Sequence, residues 1–293
     1  MNRIYNINNH LMEYNNNCIN KSLDPYNPLG LPPNTIRVKF SSDFTPYQGD
    51  TQTLVDAEEN IWDIYKQSND WDDLFRACTD LLEVLGANTS NITDMNNMFD
   101  GCSSVTTISL FDTSKLTRMF GMFHNCYSLT SVPLFNTSNV TNMTYTFQEC
   151  RSLTSIPLFD TSKVTDMERT FHGCWSLTSL PLLDTSSVTV MLGTFNTCVS
   201  LTSLPLFNTS NVTDMSYAFG NCTALKTIPL FDTSKVFQIQ WAFASCTNVE
   251  SGAFALYKQV SAHNTIHNAT FRNCGSNTQT GAAELAQIPS SWK

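Results

Sequence analysis

Apolar and polar positions keep one rhythm along more than half of the chain. Residues 126–150 read CYSLTSVPLFNTSNVTNMTYTFQEC, and Leu129, Val132 and Leu134 have the spacing L-x-x-V-x-L. The last three positions alternate in and out as a half-buried strand does. Asn136, Thr137 and Ser138 follow, and such side chains bond nearby backbone and make turns. Val140, Met143, Phe147 and Cys150 then recur at i, i+3, i+7 and i+10, one face of a helix. The pattern predicts a short helix or helical turn there, with a second short strand over residues 139–143 as the alternative. The same seven inward positions return as Leu153, Ile156, Leu158, Val164, Met167, Phe171 and Cys174.

The rhythm is a strict repeat. Asp112, Asn136, Asp160, Asp184, Asn208 and Asp232 open the turn in successive units, each 24 residues after the last. Cys78, Cys102, Cys126, Cys150, Cys174, Cys198, Cys222 and Cys246 keep the same interval. A fixed period of this length marks a repeat architecture, whose units cannot bury their apolar side alone and must stack. The prediction is a solenoid of 24-residue coils, capped at both ends. A parallel β-sheet forms one side, and short helices, helical turns or short strands form the other. Seven coils at the spacing of adjacent strands would span ~34 Å. Cys126, Cys150, Cys174, Phe147, Phe171, Met143 and Met167 are the expected inner ladder.

The flanks divide the chain further. Residues 1–35 form a polar arm made stiff near its end by Pro25, Pro28, Pro32 and Pro33. Residues 36–86 make an N-terminal cap, in which IRVKFS alternates like a strand. There IWDIY and WDDLFRAC read as a degenerate coil, with Trp71, Phe75 and Cys78 in the Met, Phe and Cys slots. Residues 87–247 are the regular coils and residues 248–293 a C-terminal cap. In the latter, Ala253, Leu256, Tyr257 and Val260 have helical spacing, and the motif returns once at Phe271 and Cys274. Ala282, Gln287, Pro289 and Trp292 mark the closing segment.

Composition narrows the function. Only 14% of residues are charged against 41% hydrophobic, too apolar for a disordered chain. The net charge is -9 and the few Lys and Arg do not cluster, so no basic stripe awaits nucleic acid. No run long and apolar enough for membrane insertion is present, and no apolar h-region follows the first residues, so ordinary export is not expected. No Ser/His/acid set, phosphate loop or acidic dyad stands out, and no cofactor is expected; the reading is a non-enzyme. Stacked coils would bring cysteine Cα atoms to about 5 Å, within disulfide range. Each Cys nevertheless lies on the apolar period, where a reduced thiol serves as a small hydrophobe. His124 and His172 lie two coils apart, about 10 Å, too far to share a zinc ion. The Asp/Asn-Thr-Ser column lacks the Gly-rich spacing of calcium solenoids, so no metal is expected.

Differences between coils are more informative than likenesses. The strand positions Ser131, Ser155, Ser179 and Ser203 barely vary. The residue after Cys runs Ser103, Tyr127, Arg151, Trp175, Val199, Thr223, and the second after Met runs Gly121, Tyr145, Arg169, Gly193, Tyr217, Trp241. Phe120, His124, Glu168 and His172 occupy adjacent variable slots. Aromatic and Arg residues are the preferred contact anchors. A partner surface is therefore expected around Tyr127, Arg151, Trp175, Tyr145 and Arg169, with Phe120, Tyr217 and Trp241 beside it. The competing reading is that these are scattered surface aromatics, or a cover over the helical side.

The coils resemble the BspA-like class of leucine-rich repeats, whose phrase is close to DTSNVTDM…MF..C.SLTSLPLF. Here it stands at residues 208–219 followed by Cys222, and with small changes from about Asn88 to Cys246. That resemblance implies surface-exposed, non-catalytic proteins of adhesion and protein binding. The flanks TIRVKFSSDFTPYQGDTQTL and TFRNCGSNTQTGAAELAQIPSSWK resemble proteins of gut Bacteroidales and of the crAss-like bacteriophages that infect them. A virion component assembled in the host cytoplasm needs no export signal, so the resemblance favours a phage attachment or decoration protein. Its partners would be other virion proteins through residues 1–35 and a host surface protein or glycan through the coils; a homo-oligomer is allowed. A bacterial cell-surface adhesin, or a purely architectural virion protein, is the alternative.

Overall fold

The structure is a computed structural model that describes residues 26–41, 51–263 and 265–293. Most of the expected polar arm, residues 1–25, lies outside the described residues. The end of that arm packs against the fold: Leu31 is buried and its carbonyl accepts from the Asn88 amide at 2.8 Å.

The first half of the fold is one open, mixed sheet. Its strands are β1 (Thr35–Phe40), β2 (Thr51–Asp56), β3 (Ile61–Tyr65), β4 (Leu81–Asn88) and β5 (Thr107–Ile108), in the order β2-β3-β1-β4-β5. All neighbours are antiparallel except β4 and β5, which pair in parallel. Ile36, Val38 and Phe40 alternate inward along β1 and are buried. The segment IWDIY, expected to belong to a degenerate coil, is instead β3, an antiparallel partner of β1 and β2. β-branched and aromatic residues fit a half-buried pleat, and the β1 edge offers the pairing partner. Trp71 and Phe75 do take the inner slots: Trp71 is fully buried, and Phe75 stacks on Phe99 at 5.7 Å.

After β5, Cys and Phe recur every 24 residues as one stacked column. Ring centroids run Phe99–Phe123 5.5 Å, Phe123–Phe147 5.5 Å, Phe147–Phe171 5.5 Å, Phe171–Phe195 5.4 Å and Phe195–Phe219 5.7 Å. Met143, Met167, Cys126, Cys150 and Cys174 are fully buried beside them. Each described cysteine from 102 to 246 is a free thiol whose Sγ donates to the carbonyl of a Phe 27 residues earlier, at 3.1–3.2 Å.

Backbone bonds between units differ from the expectation on both sides. On the L-x-x-V-x-L side no regular sheet continues past β5. One N–H per unit reaches its neighbour, as from Thr154 to Thr130 at 3.3 Å. The cause is proline. Pro133, Pro157, Pro181 and Pro205 have no N–H to give, and the N–H of Phe135 folds back to the Pro133 carbonyl at 2.9 Å in a three-residue turn. In the first unit Ser109 takes the proline's place, donates to the Val84 carbonyl at 2.9 Å, and β5 forms. That tight turn also changes which side chain faces in. Leu134 and Leu158, expected inside, are 57% and 60% exposed, whereas Phe135 and Phe159 are buried against the Phe column.

On the return side no helix forms. Parallel bridges link Arg118, Asn142, Asp166, Val190, Asp214, Gln238 and Ile266 in a single file, where the alternative short strand was expected. Then N–H groups alternate. Those of Met143, Tyr145, Phe147 and Glu149 donate to Asp166, Glu168, Thr170 and His172 of the next unit, at 2.7–3.1 Å. Those between them close turns on carbonyls three residues back. Tyr145 and Glu149 have φ of 59° and 61°, and these left-handed residues stop any α-helix while keeping the inward spacing of Met143, Phe147 and Cys150.

Helices occur only near the end among the described residues: α1 (Ala253–Val260) and α2 (Gln279–Gln287). α1 buries Ala253, Leu256 and Val260. Phe271 extends the ring column, 6.1 Å from Phe243, and Trp292 covers it at 6.3 Å.

Candidate binding surface

Repetition places equivalent residues in columns, so each variable slot becomes a row of neighbours. In the row after Cys, the Arg151 guanidinium lies between two rings, 4.4 Å from the Tyr127 centroid and 4.5 Å from Trp175. Each such contact is worth ~0.5–1 kcal/mol at an exposed site. Glu149 fixes the cation from the side, Oε2 to Nε 2.8 Å. Tyr127 and Trp175 remain exposed. The structure thus assembles the three expected anchors into one cluster.

The second row occupies a left-handed position in every unit: φ is 58° at Gly121, 59° at Tyr145, 49° at Arg169, 60° at Gly193, 56° at Tyr217 and 59° at Trp241. A non-glycine residue there costs of order 1–2 kcal/mol, so large side chains at four of six positions are held against a local preference for glycine. Strain of this kind concentrates at functional sites. The Tyr145 hydroxyl donates to Glu168 Oε1 at 2.9 Å, Arg169 lies 5.8 Å over the Tyr145 ring, and Phe120 meets that ring edge-on at 5.5 Å. Burial, then the Glu168 bond, raises the Tyr145 phenol above its usual range. Tyr217 and Trp241 form a separate pair, parallel at 6.1 Å. Gly193 separates this pair from Arg169.

Several residues of this face were not singled out from the sequence. Arg272 lies 5.4 Å over Trp241. Glu149 serves both Arg151 and, at 3.7 Å, His172. A further column two residues before Cys runs His124, Gln148, His172, Asn196, Gly220, Ala244. Its polar half was visible by aligning units. Burial holds His172 below the ordinary imidazole value, so it is neutral at pH 7. His124 faces Asp100 at 3.0 Å. Among the described residues no group of three or more His, Cys, Asp or Glu could hold a metal ion, and no helix is long and apolar enough to cross a membrane.

No curated protein and no solved structure matches the chain. One family model matches it twice in overlap, over residues 69–180 and 154–255, as a model of repeated units does on a chain that repeats itself. By that match, which covers well over half of its length, the chain belongs to the family described as "Mycoplasma protein of unknown function, DUF285".

Proposed function

We infer that the chain is a leucine-rich-repeat solenoid of the BspA-like kind and acts as a non-enzymatic binding protein through its variable face. One observation carries this reading: Tyr127, Arg151 and Trp175, from three successive units, form a single exposed cation–π stack. Its rings offer large apolar area at low entropic cost, and its cation is already oriented. The left-handed backbone under Tyr145, Arg169, Tyr217 and Trp241 supports the same assignment. We place the protein in a bacteriophage virion, as an attachment or decoration component anchored through residues 1–35 to other virion proteins. This placement rests on the resemblance of the flanking segments. The phrase shared by the repeats favours instead a bacterial surface adhesin, and fractionation separates the two. Recovery in purified particles supports the virion; recovery in host membranes without phage supports the adhesin.

Replacing Tyr127, Arg151 and Trp175 together by Ala tests the surface. Binding of the purified protein to host cells should fall by at least about tenfold. The melting temperature should stay within a few degrees, because only exposed contacts are lost. Unchanged cell binding by a folded triple variant would eliminate the patch.

A further inference from the structure

Gly193 leaves a notch in the second row. Where neighbouring units carry Tyr145, Arg169, Tyr217 and Trp241, Gly193 has no side chain, and a cavity of about 350 Å³ opens between Arg169 and Tyr217. Gln148, His172, Leu192 and Asn196 complete its lining. Trp241 covers one face of Tyr217, leaving the phenol to wall the notch from the other side.

Two polar atoms in this notch are buried and lack partners among the described residues: His172 Nδ1 and Gln148 Oε1. Such atoms cost free energy unless a ligand or water meets them. His172 is neutral, and its Nε2 faces Glu149. A proton on Nε2 directed at that carboxylate leaves Nδ1 as a bare acceptor. Both orphans therefore call for donors. An anion would bring more acceptors, and the cation nearest at hand, Arg169, is directed over Tyr145. An aliphatic ligand would leave both atoms unmet. A hydroxyl both donates and accepts, and so satisfies the Gln148 amide in either orientation. The remaining requirement is a flat face with polarised C–H groups to lie on the phenol.

We propose that the notch at Gly193 is a carbohydrate subsite that seats one neutral sugar ring on Tyr217, its hydroxyls bonded to His172 and Gln148. The volume is at the small end of ligand pockets and suits one or two rings. The proposal deepens the binding-surface reading and rests on it, by naming glycan as the chemistry at one end of that face.

The test is saturation-transfer NMR on the full chain with D-glucose, D-galactose, D-mannose, N-acetylglucosamine and their common disaccharides, each at about 10 mM, a level that registers weak single-ring binding. At least one sugar should take up saturation on its ring protons. Its affinity should drop by about tenfold or more in Tyr217→Ala, Gly193→Asn and Gln148→Leu. Asn tolerates the left-handed backbone while filling the notch, and Gln148→Leu removes an acceptor at similar volume. The triple variant at Tyr127, Arg151 and Trp175 should keep the sugar. No saturation of any sugar in the panel, or a signal that survives all three notch variants, overturns the proposal. Cell binding lost in the triple variant with no sugar bound would sink the notch and leave the wider surface standing. Sugar binding with cell adhesion untouched by the triple variant would do the reverse.

Discussion

Phe147 and Phe171 stack face to face with centroids 5.5 Å apart and planes 6° apart, although 24 residues separate them. Each ring is the next unit's floor. The Thr146 hydroxyl, fully buried, ties the same units together by donating to the Met119 and Met143 carbonyls, both at 2.7 Å. Stability is therefore shared between units, and inward and outward substitutions should differ sharply.

Adjacent residues in one unit provide that contrast. Phe159 is 2% exposed and lies 5.9 Å from Phe147, whereas Leu158 stands outward on the tight turn. Phe159→Ala should cost ~3–5 kcal/mol by emptying a packed site. Leu158→Ala should change stability by no more than about 0.5 kcal/mol. Urea unfolding of both variants measures the difference, and equal costs would contradict the assigned facing.

The thiols should be silent in the native protein. Burial pushes every described cysteine from Cys102 to Cys222 upward, Cys198 to about 12, so the reactive thiolate is scarce at pH 8. Cys78 is half-buried, and burial raises it less completely. Alkylation followed by peptide mass spectrometry should label Cys78 first among the described cysteines. Cys126, Cys150 and Cys174 should react only on unfolding. Early modification of the latter three would place them outside the core.

Acid should weaken the fold through the turn carboxylates. The hydroxyl and N–H of the serine two residues on hold Asp160, Asp184 and Asp232 below the usual carboxylate value. A carboxyl depressed in the folded state stabilises it above the unfolded pKa, and that contribution is lost as pH falls through the folded pKa. Melting temperature should decline from about pH 5 to about pH 3. Asn136 and Asn208 make the same turn without titrating. Asp160→Asn, Asp184→Asn and Asp232→Asn combined should flatten the decline, as scanning calorimetry would show.

The inner ladder was legible in the sequence because its period follows from side-chain chemistry alone: Met143, Phe147 and Cys150 face in whichever local structure carries them. Leu134 was misplaced because strict alternation was extended through Pro133, whose missing N–H permits the turn that exposes the leucine. The cue was present in the single exception, Ser109. Equally, the columns of Tyr127 and Tyr145 were visible by aligning units. The sandwich around Arg151 was not, because it depends on rotamers and on Glu149 beside it. The left-handed backbone was hinted at only by Gly121 and Gly193, and the orphaned His172 and Gln148 atoms left no sequence signature.

The whole account depends on register, and an engineered disulfide reads register directly. Ser131 and Ser155 are exposed equivalents in adjacent units, next to the Thr154-to-Thr130 bond. Their Cα atoms should lie about 5 Å apart, within disulfide range. Under mild oxidation Ser131→Cys with Ser155→Cys should cross-link almost fully, and Ser131→Cys with Ser179→Cys, two units apart, should not. Failure of the first pair, or equal linking of the second, would contradict the stacking on which every column, pair and notch depends.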